Sequence, residues 1–549
     1  MLLGHKSVIL GKTGSTGKQG GIYVKTLYFG GAVLPMDCPG KAQALAVEDG
    51  KILAVGALEE VEPLAQGARR VDLEGRALLP AFVDGHSHIT ALAQTLGLCQ
   101  LSGCGSLEEM GRRMKAFRER WAIPAGEWVI GFGYDPNDLR EGRHPTKREL
   151  DAALPDCPAM VTHASGHMGV VNSLGLQRLG VTAGTPDPEG GRIGRLEDGS
   201  PSGYLEEAAF TSMGSRIPRD PEAGLKNLER AQQVYFSQGI ATIHEGLARQ
   251  PEWDLLSSAA AKGLLRGDVA AYVDIQDSAA LLEEHRDHLG QYRNRLKIAG
   301  YKLFLDGSPQ GRTAWVEQPY LGGEPGYRGY PVHQDGQVLA FLEQAQREGV
   351  QIAVHCNGDA AAEQLLRCYE QAFARYGRDI RPVMVHAQLL RPDQVPRLKP
   401  LGMVASFFVA HVYHWGDVHV ANFGQERASQ ISPARTALDS GVVFDFHQDS
   451  PVIPPNMVES LWCAVCRRTK SGQVLGENQR LPVWEALRAV TSNAAYALFE
   501  EGQKGTLSPG KRADLVLLDR DPLSCPPEEL RDIQVVETIK DGETVYKNE

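Results

Sequence analysis

The sequence predicts an α/β fold, namely a (β/α)8 TIM-like barrel with a large insertion after strand 1, plus a small β-sandwich domain built from both termini. Three observations favour this fold class. Eight short apolar segments of strand character alternate with amphipathic helical segments. The first two of these strands are separated by an unusually long stretch of chain. Finally, glycine-punctuated β segments occur near both ends of the 549 residues.

The barrel is predicted over residues 81–499. Several of its helices carry an apolar stripe, as at Val338, Phe341, Leu342 and Ala345, which recur at i, i+3, i+4 and i+7. Alternating strands and helices favour a parallel sheet, and eight such units suit a closed barrel. The predicted strands lie in LLPAFVDGHSH, GIATIHEG, VAAYVDI, YKLFLDGS, VQIAVHCNGD, PVMVHAQ, MVASFF and VVFDFHQDS.

The insertion is predicted over residues 93–237, between the first and second barrel strands. Connections between a strand and the next helix of a barrel are normally only a few residues long. This segment contains strand-like runs of its own, EWVIGFGYD and AMVTHASGH, together with helix-like runs. We therefore expect a lid subdomain over the mouth of the barrel.

The composite β-sandwich domain is predicted from residues 22–80 and 500–549. Short β runs in both segments are joined by Asp-Gly pairs, at 49–50 and 541–542, and this dipeptide is a strong hairpin signal. Two unrelated edge hairpins are the alternative. Residues 1–21 lack a long apolar core and are expected to be a flexible leader rather than a signal peptide.

Composition restricts the classes of partner. The net charge is −11, from 57 basic and 68 acidic residues, and no basic stripe with interleaved aromatic residues occurs, so no nucleic-acid partner is expected. The uncharged stretch 157–177 is too polar to span a membrane. Nine scattered cysteines favour a reducing compartment, and we expect a cytoplasmic protein that acts on a small molecule. A homodimer is compatible with these features, but the sequence does not fix the oligomeric state.

Six residues with metal-binding chemistry lie on or directly after predicted barrel strands. Because a strand alternates sides, the pair spaced as His-x-His after the first strand points one way, and two imidazoles on one face can share a divalent metal. A buried lysine needs a partner or a chemical role. Active sites of this fold form at the carboxyl ends of the strands, so we expect these residues to converge. They are His86, His88, Lys302, His355, His386 and Asp449.

Six motifs in order resemble the amidohydrolase superfamily, and within it amidohydrolase family 3, which includes N-substituted formamide deformylase-like proteins. They are LLPAFVDGHSH, YKLFLDGSPQGRTAW, VHCNGDAA, VHAQLL, HQDSPV and KGTLSPGKRADLVLLDRDPL. The resemblance covers nearly the whole chain after residue 21. It implies that the six residues ligate metal, and it also implies the terminal β domain.

The resemblance further implies one or two divalent ions. In many relatives the barrel lysine carries a carbamate that bridges two metals, so a binuclear site with carboxylated Lys302 is the first expectation, and a mononuclear site with unmodified Lys302 is the second. Imidazole and carboxylate ligands favour zinc, although manganese, iron or nickel would also be accepted.

The expected reaction is hydrolysis of a C–N bond in an amide, N-substituted formamide or cyclic amide, which makes the chain a hydrolase acting on carbon–nitrogen bonds other than peptide bonds. Metal-activated water attacks, and Asp449 acts as general base and returns the proton to the leaving amine. Ester or lactone hydrolysis, or a non-hydrolytic reaction on the same metal site, is the first alternative. A non-catalytic binding relative is the second, which the complete set of six residues disfavours.

Substrate contacts are expected from three places around the mouth. They are SGHMGVVNSLGL in the insertion, the loop after the Lys302 strand, and the segment AHVYHWGDVH after the seventh strand. Structural polar networks or surface ion pairs are the competing interpretation for the first two. The residues singled out are His167, Asn172, Asp306, Arg312, His411 and Trp415.

One departure from the family pattern lies beside the site. Many relatives carry a glycine-serine pair directly before the last aspartate, and this chain carries His447 and Gln448 there. The departure affects the shape of the pocket beside the metal. Cys356, next to His355, is expected to point away from the barrel interior because strand residues alternate.

Overall fold

The computed structural model describes residues 25–548 except 165–166, 190, 215–220 and 323. The predicted leader, residues 1–21, lies outside the described residues. The first described segment forms five strands and one short helix. The β2–β3 hairpin turns at residues 49–50, both with positive φ, which is the conformation that makes Asp-Gly a favoured hairpin turn. The elements are β1 Thr26–Val33, β2 Ala42–Glu48, β3 Lys51–Gly56, α1 Leu58–Val61, β4 Arg69–Asp72 and β5 Ala77–Pro80.

The chain then enters the first strand of a second sheet, β6 Phe82–Val83, and leaves it for a long inserted region. Six strands of this region form a sheet of their own in the order β11-β12-β10-β9-β8-β7, with a separate apolar core. The region contains α2 Ile89–Leu96, β7 Cys99–Gln100, α3 Leu107–Arg120, β8 Val129–Tyr134, α4 Lys147–Ala153, β9 Ala159–His163, β10 Met168–Val171, α5 Ser173–Leu179, β11 Gly191–Arg195, β12 Pro201–Glu207 and α6 Ala208–Gly214.

The chain returns through α7 Pro221–Phe236, which packs against α2 and belongs to the main core rather than to the core of the inserted sheet. Seven further strands then alternate with helices. They are β13 Ile240–Ala248, α8 Gln250–Ala261, β14 Asp268–Asp274, α9 Ala279–Glu284, β15 Leu296–Phe304, α10 Asp335–Glu348, β16 Ile352–Cys356, α11 Asp359–Tyr376, β17 Val383–His386, α12 Val395–Leu398, β18 Val404–Phe407, α13 His411–Ala428, α14 Ala434–Asp439 and β19 Phe444–Phe446.

These strands pair in parallel with β6 in strict sequence order, from β6 through β13 to β19, and each overlaps a predicted strand segment, although β15 begins five residues before its segment. The prediction of eight parallel strands is confirmed. The sheet curls so that its two ends meet above the strands, where Asp449 N donates to His86 O at 3.2 Å and His88 N donates to Ser450 O at 2.8 Å. This contact brings the chain after the first strand beside the chain after the last.

The final segment returns to the terminal sheet after α15 Met457–Cys466, α16 Val483–Ala489 and α17 Ser492–Ala497. Its strands are β20 Leu515–Leu518, β21 Val535–Lys540 and β22 Glu543–Lys547. β20 pairs antiparallel with β5, so both ends of the chain contribute to one hydrogen-bonded sheet in the order β22-β21-β20-β5-β1-β2-β3, with β4 beside β1. Separate apolar clusters cover parts of this sheet.

Buried charges connect the terminal sheet to the bottom of the parallel sheet. Lys540 of β21 contacts Asp268 of β14 at 2.8 Å and Asp514 at 2.8 Å. Lys504 contacts the same Asp268 at 2.6 Å. Burial favours the neutral form of Asp268, but the two lysines outweigh it and hold the pKa of this carboxyl well below its usual range. These ion pairs fix the terminal sheet against the strand ends opposite the site described below.

No helix among the described residues is both long enough and apolar enough to cross a bilayer.

Candidate metal centre

Six side chains meet at the carboxyl ends of the parallel strands. His86 and His88 follow β6, Lys302 lies on β15, and Asp449 follows β19. His355 is on β16 and His386 is the last residue of β17. The structure therefore brings together all six of the residues that the sequence singled out, and we call them the metal-centre residues.

The first group of potential ligands consists of His86, His88 and Asp449, each of which offers an atom within 4.8 Å of the other two. Asp449 Oδ1 lies 3.4 Å from His88 Nε2 and 3.7 Å from His86 Nε2. Lys302 Nζ lies 3.1 Å from His86 Nε2. Two imidazoles and a carboxylate converging in this way form a ligand set that is typical of zinc.

The second group is formed by the other two histidines. His386 Nε2 lies 3.0 Å from His355 Nδ1, and the two rings are 4.5 Å apart between centroids. The rings of His86 and His386 are 5.9 Å apart, so the two groups adjoin. His386 and Asp449 both have positive φ, at 73° and 53°. Such backbone is uncommon outside glycine and is often found at functional sites.

Neighbouring acceptors hold two of the histidines so that one ring nitrogen faces the centre. A carboxylate oxygen of Glu245, on β13, lies 3.5 Å from His88 Nδ1. The hydroxyl of Thr90 donates a hydrogen bond to the same carboxylate at 2.7 Å and fixes its position. His355 Nε2 lies 3.2 Å from Gly307 O and 3.1 Å from Asn357 Nδ2. Since a carboxylate oxygen only accepts, the ring nitrogen of His88 that faces Glu245 carries a proton. The opposite ring nitrogens, His88 Nε2 and His355 Nδ1, face other metal-centre residues, Asp449 at 3.4 Å and His386 at 3.0 Å.

Burial keeps most of the basic groups neutral. It lowers the pKa of Lys302 to about 7 and that of His355 to about 4, and it lowers the pKa of His386 well below the ordinary value of histidine. Burial would also lower the pKa of His88, but Asp449 and Glu245 outweigh it and raise this pKa to about 9.

Asp449 is ionised. Burial would raise its pKa, but His88 and the surrounding imidazoles hold the pKa well below the ordinary value. Its Oδ1 atom is buried and accepts no hydrogen bond of normal length from the described residues. A buried carboxylate anion surrounded by imidazoles, beside a lysine whose pKa is lowered to about 7, fits a divalent cation.

Residues 69–546 match the amidohydrolase family. This chain belongs to the amidohydrolase family. It is thereby a member of a hydrolase family, in agreement with the expectation from the six motifs.

Two curated relatives and a solved structure show the same similarity. The chain is 29% identical to N-substituted formamide deformylase of Arthrobacter pascens, over 92% of this chain and 95% of that protein. It is 27% identical to the putative amidohydrolase YtcJ of Bacillus subtilis, over 95% of this chain and 100% of that protein. An uncharacterized metal-dependent hydrolase from Pyrococcus furiosus superposes with a TM-score of 0.73 at 28% identity, over 91% of this chain and 100% of that one.

The two candidate substrate residues of the inserted region, His167 and Asn172, contact other residues of that region in the structure. Asn172 is buried within the inserted sheet, where its Oδ1 caps α5 and its Nδ2 donates to Cys157 O at 2.8 Å. These contacts of Asn172 lie within the inserted region. His167 is exposed and pairs with Glu207 at 3.0 Å.

The two candidate substrate residues of the loop after β15, Asp306 and Arg312, connect this loop to neighbouring segments. Asp306 is buried and accepts three backbone N–H groups, including those of Asn357 at 2.9 Å and Gly358 at 2.7 Å, and it lies 3.8 Å from His355 Nε2. It therefore positions the His355 segment. Arg312 donates to Asn422 Oδ1 at 2.8 Å and to Gly322 O at 3.0 Å, which ties this loop to α13.

His411 and Trp415, at the start of α13, do lie near the metal-centre residues. Their rings are 4.5 Å apart, and His411 is also 4.5 Å from Phe408. Phe408 in turn packs beside His386 at 6.5 Å. These aromatic rings continue the wall of the centre along α13.

Two residues near the centre were not predicted as functional. Glu245 lies inside β13, in the segment GIATIHEG, and an acidic residue within a buried strand was the signal available. His447 was noted as a departure without a role, yet its ring is 5.0 Å from that of His386. Cys356 is buried in the core outside the sheet, as the strand alternation predicted.

Proposed function

We propose that this protein is a metal-dependent amidohydrolase that hydrolyses a C–N bond in an amide, N-substituted formamide or cyclic amide. The convergence of four histidines, a lysine and an aspartate at the carboxyl ends of the strands carries this proposal. The similarity to N-substituted formamide deformylase along nearly the whole chain supports the class of bond. The curled sheet is proposed to be the complete (β/α)8 barrel, and the inserted region its lid.

One or two divalent ions, with zinc first, are proposed to bind the metal-centre residues. His86, His88 and Asp449 would hold one ion, and His355 and His386 a second. The donor set of imidazole and carboxylate suits zinc, and His88 Nε2 and His355 Nδ1 face the other metal-centre residues.

Lys302 is proposed to be N-carboxylated and to bridge the two groups. Its amine is fully buried, has no carboxylate hydrogen-bond partner among the described residues, and has a pKa lowered to about 7. A neutral amine adds to carbon dioxide by forming an N–C bond and losing one proton, which yields an anionic carbamate. The product replaces a potential positive charge with oxygen ligands. A single ion with unmodified Lys302 is the alternative.

A divalent ion supplies Lewis-acid polarisation of a carbonyl and lowers the pKa of water. The protein's own proton acceptor is Asp449, which is ionised and 3.4 Å from His88 Nε2. Asp449 takes one proton as the O–H bond of the attacking water breaks and the C–O bond forms. When the C–N bond breaks, Asp449 returns that proton to the amine nitrogen. His88, which Glu245 contacts at 3.5 Å, lies beside the Asp449 carboxylate and positions it.

A paired substrate panel tests the proposal. Metal-free and zinc-loaded protein would be assayed with N-substituted formamides, simple amides and cyclic amides in parallel with esters and lactones. Release of amine by the zinc-loaded protein alone is the expected result. Activity that survives metal removal would contradict metal dependence, and cleavage of lactones but of no amide would assign the site to the alternative reaction.

A further inference from the structure

His447 occupies an inward-facing position directly below the metal-centre residues. Along β19 and the chain that follows, Asp445, His447 and Asp449 alternate with side chains that point the other way. Asp449 is a metal-centre residue, and Asp445 is buried. His447 N donates to Phe407 O at 3.2 Å, which continues the pairing with β18 and fixes the direction of the imidazole.

The imidazole of His447 is completely buried without a hydrogen-bond partner. Its exposed fraction is 0%, and neither Nδ1 nor Nε2 finds a partner among the described residues. Leaving buried polar atoms unpaired costs free energy, so such groups usually have a partner of another kind. The burial also excludes direct contact with a substrate, which enters from the side where His88 and Asp449 are partly exposed.

The ring lies at the spacing of imidazoles that share an ion. Its centroid is 5.0 Å from that of His386 and 5.5 Å from that of His86. The His86–His88 and His355–His386 pairs are 5.1 Å and 4.5 Å apart. Zn–N bonds of about 2.0–2.1 Å place the rings of two ligands roughly 5 Å apart. Phe408 packs on His447 at 5.2 Å and holds the ring against rotation.

We propose that His447 is a further ligand of the metal centre, on the buried side of the six residues. This inference rests on the proposed function, because it assumes that a divalent ion binds there. A fifth imidazole makes the site richer in nitrogen than in oxygen ligands. It therefore favours zinc, cobalt and nickel over magnesium and manganese, and it slows loss of the ion.

Zinc binding by purified full-length protein tests the inference without any substrate. Metal-free wild type, His447→Ala and His447→Gln would be titrated with zinc against a chromogenic chelator, and the imidazoles per zinc would be counted by X-ray absorption. Both variants should bind zinc about 10–100-fold more weakly than wild type. They should also lose part of the imidazole scattering and discriminate less between zinc and manganese. The glutamine variant retains polarity and bulk should the alanine variant not fold.

His244→Ala is the matched control. His244 is also buried, and neither of its ring nitrogens has a hydrogen-bond partner among the described residues. It lies on β13 two residues before Gly246, and its ring packs against that of Tyr272 at 5.5 Å between centroids. Its variant should keep zinc affinity within a few-fold of wild type. Tight zinc binding by wild type with unchanged affinity and imidazole count in the His447 variants would overturn this inference alone. Failure of the wild type to bind any divalent metal would overturn the proposed function as well.

Discussion

At the scale of single residues, the metal centre depends on opposed pKa shifts in side chains that touch. The carboxylates of Asp449 and Glu245 raise the pKa of His88 to about 9, so its imidazole is protonated at neutral pH. Burial instead lowers the pKa of His355 to about 4 and that of Lys302 to about 7. The metal-free centre therefore holds a proton on the imidazole where the proposed ion would bind. Metal binding and proton release are coupled at this residue.

Zinc affinity should consequently rise with pH. His88 has a pKa of about 9 in the metal-free protein, so its proton competes with zinc below that value and is gone above it. We expect the apparent affinity to rise about tenfold per pH unit between pH 7 and 9 and to level off above pH 9, measured by chelator competition. In Glu245→Gln the pKa of His88 falls, so the rise should move to lower pH. A pH-independent affinity would contradict the coupling.

Asp449→Asn should separate proton transfer from metal binding. The amide occupies the same space but cannot accept the water's proton, so kcat should fall by about 10²–10⁴. Much of the metal should remain bound, because the histidine ligands stay in place. Turnover and zinc content of the same preparation provide the measurement. An Asp449→Asn protein with full zinc and wild-type kcat would exclude Asp449 as the base.

At the scale of elements, the strands set the distances between the ligands. β13 approaches His86 so closely at Gly246 that a Cβ there would lie 2.2 Å from His86 Cε1. Any side chain at this position must displace the imidazole or the strand. The position of the His86 imidazole therefore requires glycine at residue 246.

Gly246→Ala should weaken zinc binding by at least tenfold while the protein stays folded. The added methyl group pushes the His86 ring away from Asp449 and Lys302, and metal sites tolerate only small displacements of their ligands. Gly336→Ala on α10 is the control, because nothing lies within 4 Å of its added Cβ. Chelator competition and circular dichroism on both variants give the comparison. Equal zinc affinity in the two variants would show that His86 has room to move.

The eight parallel strands were predictable from sequence because each is a short apolar run followed by a polar ligand or turn. The six metal-centre residues were predictable because the fold places strand ends together. The contacts of the candidate substrate residues were not predictable, since Asn172 and Arg312 carry groups that suit a ligand but bond them to other parts of the protein. Such bonds depend on contacts between residues distant in sequence, as Arg312 and Asn422 illustrate.

At the scale of the whole molecule, the carboxyl-terminal segment stabilises the parallel sheet that holds the centre. Lys540, near the carboxyl end, and Lys504 both contact Asp268 on β14. The partners come from segments far apart in sequence, so their pairing was not predictable from spacing. This network couples the terminal sheet to the strand ends opposite the metal centre.

Asp268→Asn should destabilise the protein by about 3–5 kcal/mol, because it removes the carboxylate that two buried lysines, Lys504 and Lys540, share. Urea unfolding followed by fluorescence would measure the loss. Asp439→Asn removes an exposed pair with Arg435 and should change stability little, which provides the control for a change of charge. Equal stability of the two variants would show that the buried ion pairs do not hold the terminal sheet in place.

Diffraction from crystals of the zinc-loaded protein, measured on both sides of the zinc absorption edge, would show whether the six residues form one metal centre. One or two anomalous peaks should lie between His86, His88, Lys302, His355, His386 and Asp449, with carbamate density on Lys302. The absence of any peak among these residues, in a protein that contains zinc and hydrolyses an amide, would contradict a shared metal centre.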